Sequence, residues 1–119
     1  MNHNQKVGSF GESLARKYLE EKGYKIVDSN VKTSFKEIDL IATIDGILVF
    51  VEVKTRTSSA FGDASDAILG KKLKNFQKAI SIYLARTYSG YREIRADFIA
   101  IDIDKLKKSA KIQHFKDIF

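Results

Sequence analysis

EIDLIATIDGILVFVEVKTR, residues Glu37–Arg56, decides how the rest of the chain is read. Two β-rich apolar runs flank Asp45-Gly46. A two-residue type I′ turn needs φ > 0 at both central positions, and Asp-Gly meets that need. With Asp45-Gly46 as the loop, Ile44 faces Ile47, Asp39 faces Glu52 and Glu37 faces Lys54. Side chains alternate along a strand. The pattern therefore predicts one face made of Glu37, Asp39, Ile41 and Thr43 with Leu48, Phe50, Glu52 and Lys54. The other face sets Ile38, Leu40, Ala42 and Ile44 against Ile47, Val49, Val51 and Val53, a core-packing surface.

Directly opposed residues have Cβ atoms roughly 4.5–5.5 Å apart, and like charges there are destabilising. Asp39 against Glu52 is a local cost that a divalent cation would remove. Mg²⁺ is typically held by one or two carboxylates plus waters and substrate phosphates, at about 2.0–2.1 Å. Lys54, one pleat beyond Glu52, would reach a phosphate or a water. The competing reading is a charged sheet edge in which Glu37–Lys54 and Asp39–Lys54 pairs neutralise one another. Strongly apolar strands raise the cost of unpaired carboxylates, which puts the metal reading first.

At 119 residues the chain is read as one domain, 1–119, with room for a real core. It has no Cys and only 2 His, so disulfides, thiolate metal sites and a Ser-His-Asp triad are disfavoured. No apolar run is long enough for a transmembrane helix, and the N-terminus lacks a signal-peptide core; a cytoplasmic protein without a membrane partner is expected. A net charge of +6 favours polyanionic partners such as nucleic acid.

Residues 5–22 carry helical spacing at Val7, Leu14, Ala15, Tyr18 and Leu19, with Gly23 as the C′ residue. Gly8 and Gly11 weaken the first turns or admit another backbone. Glu12 borders the buried stripe, and Ser9-x-x-Glu12 reads as a capping box. Tyr24–Asp28 reads as a strand and Ser29–Phe35 as a turn, with Asn30 suited to a backbone-bonding turn. Thr57–Asp66 is a polar loop leaving the charged end of the hairpin. From Lys71 to Thr87, Leu73, Phe76, Ile80, Tyr83 and Leu84 give a second amphipathic helix. Lysines at its start, Lys71, Lys72, Lys74 and Lys78, oppose the macrodipole but suit phosphate. Tyr88-Ser89-Gly90 is a turn. Glu93–Ile103 is a strand, with Ile94, Ala96, Phe98 and Ala100 on one side. Arg95 and Asp97 share its other side as a structural salt bridge. Asp104–Lys111 is a basic connection with a helical turn, and Lys111–Phe115 a last edge strand. The order is α-β-β-β-α-β-β, an α/β fold with a mixed central sheet of four or five strands flanked by helices.

This order, with Asp39, Glu52-x-Lys54 and Glu12 in place, resembles the PD-(D/E)xK, restriction-endonuclease-like fold of type II restriction enzymes and Holliday-junction resolvases. More narrowly, the chain resembles the UPF0102, or YraN-like, family of small bacterial proteins. The matching stretches are Gly11–Tyr24, Asn30, Glu37–Ala42, Leu48–Arg56, Phe61–Ala64, Ala67 with Lys72, and Ala96–Ile101. Lys36 stands where the family usually has Gly, Leu69-Gly70 where Pro is common, and Arg95-Ala96-Asp97 where Arg-Phe-Asp is usual. None of these touches the expected metal ligands, though Lys36 would alter substrate approach.

The resemblance implies an Mg²⁺- or Mn²⁺-dependent endonuclease acting on nucleic acid, DNA ahead of RNA, including branched or structured forms. Asp39 and Glu52 would bind the metal, with the Val53 carbonyl as a further ligand. Glu12 would complete the site or orient water, a ligand role that competes with the cap. Lys54 would position the attacking water and stabilise charge on the phosphate, and Lys72, Arg56 and Lys71 would grip phosphates. Cutting two strands would call for a homodimer. Two alternatives stay open: a nucleic-acid-binding module that does not cut, and an adaptor in which the cluster is a neutralised charge network.

Overall fold

The structure, a computed structural model, describes residues 2–57, 63–68, 71–87 and 90–119; the side chains of residues 67, 68, 71 and 72 lie outside that description. The chain runs α1 (His3–Glu21), β1 (Lys25–Lys32), β2 (Glu37–Ile44), β3 (Ile47–Arg56), a 3₁₀ turn (Ala64–Ile68), α2 (Lys71–Arg86), β4 (Glu93–Asp104) and β5 (Ser109–Phe115). Five strands form one mixed sheet in the order β1-β2-β3-β4-β5. Only β3 and β4 pair in parallel, because the 3₁₀ turn and α2 lie between them in the chain.

The turn forms as its residues require, with φ of 50° at Asp45 and 78° at Gly46. Arg92 fastens it, its Nη2 donating to the Asp45 carbonyl at 2.9 Å and its backbone N–H to the Gly46 carbonyl at 3.1 Å. The ladder from Ile44↔Ile47 to Leu40↔Val51 has the register read from the sequence.

A helix covers each face of the sheet. Ala15 and Leu19 of α1 pack on Leu40, Ala42, Val49, Val51, Ile99 and Ile101. Phe76, Ala79 and Ile80 of α2 pack on Ile38, Ile41, Leu48, Phe50 and Ala96. The alternation predicted for β4 holds, with Ile99 and Ile101 toward α1 and Ala96 toward α2.

One face assignment in β2 is corrected. Ile38 packs with the Phe76 cluster, not with Leu40 and Ala42, and Glu37 bonds on the α1 side through Asn30. The strand departs from simple alternation around Asp39. Its neighbour Asn30 adopts φ 50° between the Ser29↔Leu40 and Val31↔Ile38 pairs, so the pleat is not carried regularly through this point. The β1–β2 register shifts between Ile26 and Asp28.

Other boundaries move for identifiable reasons. Ser29–Lys32, expected as a turn, extends β1 because pairing with β2 overrides weak local propensity. The cap of α1 is Asn2 with Gln5, not Ser9 with Glu12: Asn2 Oδ1 accepts from Gln5 N at 2.8 Å and Gln5 Oε1 from Asn2 N at 3.0 Å. Glu12 is thereby a mid-helix residue. The expected helical turn after Asp104 is a β-turn capped by Asp104, whose Oδ1 accepts from the Leu106 and Lys107 N–H groups, and β5 starts at Ser109. Residues 58–62 of the Thr57–Asp66 loop and residues 88 and 89 of the Tyr88–Gly90 turn lie outside the described residues.

Asp97 is fully buried in the sheet and completely bonded. Arg95 donates to it through Nε and Nη2, each at 2.9 Å, the Asp117 N–H at 3.0 Å, and His114 Nε2 lies at 2.7 Å. Tyr24 Oη accepts from Arg95, and Tyr18 Oη meets His114 Nδ1 at 3.1 Å. Burial alone would raise the Asp97 pKa, but the bonds from His114, Arg95 and Asp117 hold it below the usual value. The structural role expected of the Arg95–Asp97 pair is present, and it also ties β5 and α1 to β4. Because the folded pKa is depressed, this stabilisation is present above the unfolded value of about 3.9 and is lost as pH falls through the folded one. Urea denaturation should show Asp97→Ala destabilised by about 3 kcal/mol or more, since the partly buried Arg95 loses its partner.

Gly11 is buried where α1 crosses β3, and a Cβ there would lie 1.7 Å from Thr55 Oγ1 and 2.7 Å from Thr55 Cβ. A rotamer change at Thr55 cannot clear its Cβ. Overpacking costs about 1–3 kcal/mol, more than the roughly 0.5–1 kcal/mol that Ala gains over Gly in a helix. Gly11→Ala should therefore lower the urea midpoint, by about 1–2 kcal/mol in stability.

Candidate active site

Asp39 lies just past the last pair of the β2–β3 ladder, Leu40↔Val51, and its carboxyl meets Glu52. Lys54 follows Glu52 on the same side of β3. The three line a cleft of about 300 Å³ with Lys36, Leu73 and Phe98. Leu73 comes from the first turn of α2, so that helix forms one wall.

Asp39 is held on one side by the backbone: its Oδ2 accepts from the Val53 N–H at 2.7 Å. Its pKa is nevertheless pushed up to about 8. Burial is the largest cause; the Glu52 charge and a hydrogen bond between the two carboxyls add to it, and the Val53 bond only partly opposes them. Together these causes favour the protonated form of the Asp39 carboxyl beside Glu52. Glu52 has a second neighbour, forming an ion pair through Oε2 with Lys36 Nζ. Lys36 also stands 5.8 Å from the centre of the Phe76 ring.

Glu12 belongs to a separate arrangement. Asn30 Nδ2 donates to Glu12 Oε1 at 2.7 Å and to Glu37 Oε1 at 3.0 Å, so one amide bridges α1 and β2. Glu12 is close enough for its charge to add the smallest of the contributions to the Asp39 rise. Among the described residues, no three His, Cys, Asp or Glu side chains are grouped to hold a metal ion. The structure therefore brings Asp39, Glu52 and Lys54 together and leaves Glu12 at the margin. Glu37 does not face Lys54. Arg56 lies further along β3, in another groove with Asp102 and Lys105, its Nε buried and without a hydrogen-bond partner among the described residues. Lys71 and Lys72 open α2, but their side chains lie outside the described residues.

Two contributors are not legible in the sequence pattern. Asn30, read as a turn former, is the bridge between Glu12 and Glu37. Lys36 reaches the cleft because Thr33 builds a turn around it: Thr33 Oγ1 donates to the Lys36 carbonyl at 2.6 Å and accepts from the Lys36 and Phe35 N–H groups at 3.2 Å. Thr33-x-x-Lys36 is the local signal that could have located it.

A family model described as "Uncharacterised protein family UPF0102" matches residues 11–101. The chain belongs to the UPF0102 family. A UPF0102 protein of Alkaliphilus oremlandii is 40% identical over 116 residues, covering 98% of this chain and 99% of the relative. One from Flavobacterium psychrophilum is 42% identical over 117 residues, covering 98% and 95%. The UPF0102 match begins at Gly11, the helix–strand contact, and takes in Glu12, Asn30, Asp39, Glu52 and Lys54.

The raised Asp39 pKa gives a signed expectation. The proton on Asp39 favours the folded state fully below the ordinary value of 3.8, and this contribution is lost as pH rises toward about 8. In metal-free buffer, wild-type stability should fall from pH 5 to pH 8. Asp39→Asn, which keeps an acceptor for Val53 without a charge, should be the more stable protein at pH 8, by about 1 kcal/mol or more. Denaturant titrations at both pH values check this.

Proposed function

We propose that this chain is a nucleic-acid-binding protein that hydrolyses phosphodiester bonds with Mg²⁺ or Mn²⁺, acting on DNA ahead of RNA. The observation that carries the reading is the forced approach of Asp39 to Glu52 beside Lys54 in a cleft. Two partly buried carboxyl groups set side by side in a cleft are a donor set for a doubly charged cation, and their all-oxygen chemistry fits a hard one. Asp39 and Glu52 would hold it, and the Val53 carbonyl would be a third donor. A bound divalent ion supplies Lewis acidity toward the phosphate and lowers the pKa of water.

The chain's own groups do the rest. Lys54 positions the attacking water and offsets negative charge as it builds on the phosphate oxygens. The water oxygen forms the new bond to phosphorus and gives up a proton to solvent, while the bond to the departing sugar oxygen breaks and that oxygen takes up a proton. Glu12, steadied by Asn30, orients water at the margin of the site. Arg56, Lys71 and Lys72 grip neighbouring phosphates, consistent with the net charge of +6. Cutting both strands of a duplex would use two copies of the chain. Among the described residues no helix is long and apolar enough to cross a membrane.

One observation favours a second reading, a binding module or adaptor that does not cut: Lys36 already balances the Glu52 charge. Incubation of labelled linear, nicked and branched DNA with Mg²⁺ or Mn²⁺ separates the two. Cleavage should require the metal and should drop by roughly two orders of magnitude in Asp39→Ala and in Lys54→Ala, the scale of losing one preorganised charge. Binding that survives both changes, weakens with salt and on Lys72→Ala, and never leads to a cut would establish the binding module instead.

A further inference from the structure

Lys36 supplies the one cationic partner of Glu52 recorded among the described residues, and it does so from inside the cleft. The contact is not a chance meeting of two loose side chains. Only 24% of the Lys36 side chain and 19% of the Glu52 side chain is exposed. The Lys36 backbone is bonded on both sides by Thr33, so the stem starts from a fixed point. The Phe76 ring, with its centre 5.8 Å from the ammonium, offers a second seat nearby.

We propose that Lys36 is the internal counter-cation of the carboxylate pair: its ammonium holds Glu52 in the resting protein and a divalent cation must displace it. The inference rests on the reading of Asp39 and Glu52 as a divalent-cation site. An ammonium and a divalent ion cannot both occupy Glu52 without strong repulsion at short range. When the ion enters, the Lys36 ammonium swings off Glu52 toward the Phe76 face and the cleft mouth. There it meets the phosphodiester that the cleft admits. A free carboxylate site and an available lysine thus appear together, and the resting protein carries no uncompensated charge on Glu52. Lys36 acts as a positioning residue, through Glu52 and through the substrate phosphate.

The test needs no turnover. Mn²⁺ binding to the full chain, without nucleic acid, is followed by the loss of the free-ion paramagnetic resonance signal for wild type, Lys36→Gln and Lys36→Arg. Lys36→Gln should bind Mn²⁺ roughly tenfold more tightly, the worth of one charge-assisted hydrogen bond removed from competition. Lys36→Arg should show no such gain. In wild type, saturating Mg²⁺ should also speed acetylation of Lys36 by acetic anhydride relative to the other lysines. That labelling decides the matter even if Lys36→Gln does not fold. Equal or weaker Mn²⁺ binding by a folded Lys36→Gln protein, or an unchanged Lys36 labelling rate, overturns the proposal while leaving the metal site standing. No Mn²⁺ binding by wild type or variant overturns both.

Discussion

The register of the β2–β3 hairpin is the constraint on which the molecule depends. Slipping it by one residue would turn one strand over relative to the other. With β3 in place, Leu40 and Ala42 would leave the α1 core and Ile41 would leave the α2 core. Because β3 is buried on both sides and also pairs in parallel with β4, neither helix could dock on a slipped hairpin. Asp45-Gly46 and the Arg92 clamp hold that register at one end. The juxtaposition of Asp39 and Glu52 at the other end follows from the same pairing. Their repulsion is weaker than the hydrophobic burial that fixes the strands, so the carboxylates are carried together.

The charged groups of this apolar sheet are compensated in different ways, and the differences separate structure from candidate chemistry. Asp97 is satisfied by a guanidinium, an imidazole and a backbone N–H, all supplied by the chain, and its charge is stabilised. Glu12 and Glu37 share the amide of Asn30. Asp39 accepts the Val53 N–H and lies against Glu52, which pairs with Lys36. Asp97 offers no opening to an external ion, because its bonds are complete and it is fully buried. The Asp39–Glu52 pair faces a cleft, held by the Val53 N–H on one carboxyl and by the Lys36 ammonium on the other.

Membership of UPF0102 is secure from matches that run nearly the full length of the chain, and it comes without a reaction attached. The case for phosphodiester hydrolysis is therefore chemical. Opposed carboxylates, a neighbouring lysine, an oxygen-only donor set and a basic chain are the parts that such a reaction uses.

The sequence by itself determined the element order, the two-helix amphipathic pattern, the Asp-Gly turn and, through that turn, the pairing from Ile44↔Ile47 to Leu40↔Val51. Period-two and period-3.6 patterns and turn chemistry are local properties, and they survive folding because the core enforces them. It also marked Arg95 and Asp97 as a structural pair, without showing that His114 and Tyr18 complete it from distant parts of the chain. Only the tertiary structure decided the facing of Glu37 and Ile38, which depends on the left-handed backbone of Asn30 in the neighbouring strand. It alone placed Glu12 on Asn30 and not at a helix cap, since the helix starts several residues earlier than the Ser9 signal suggested. Lys36 likewise reaches Glu52 from the connection before β2, across a gap that strand periodicity does not describe. These are contacts between elements at irregular backbone, where no repeat in the sequence fixes which way a side chain turns.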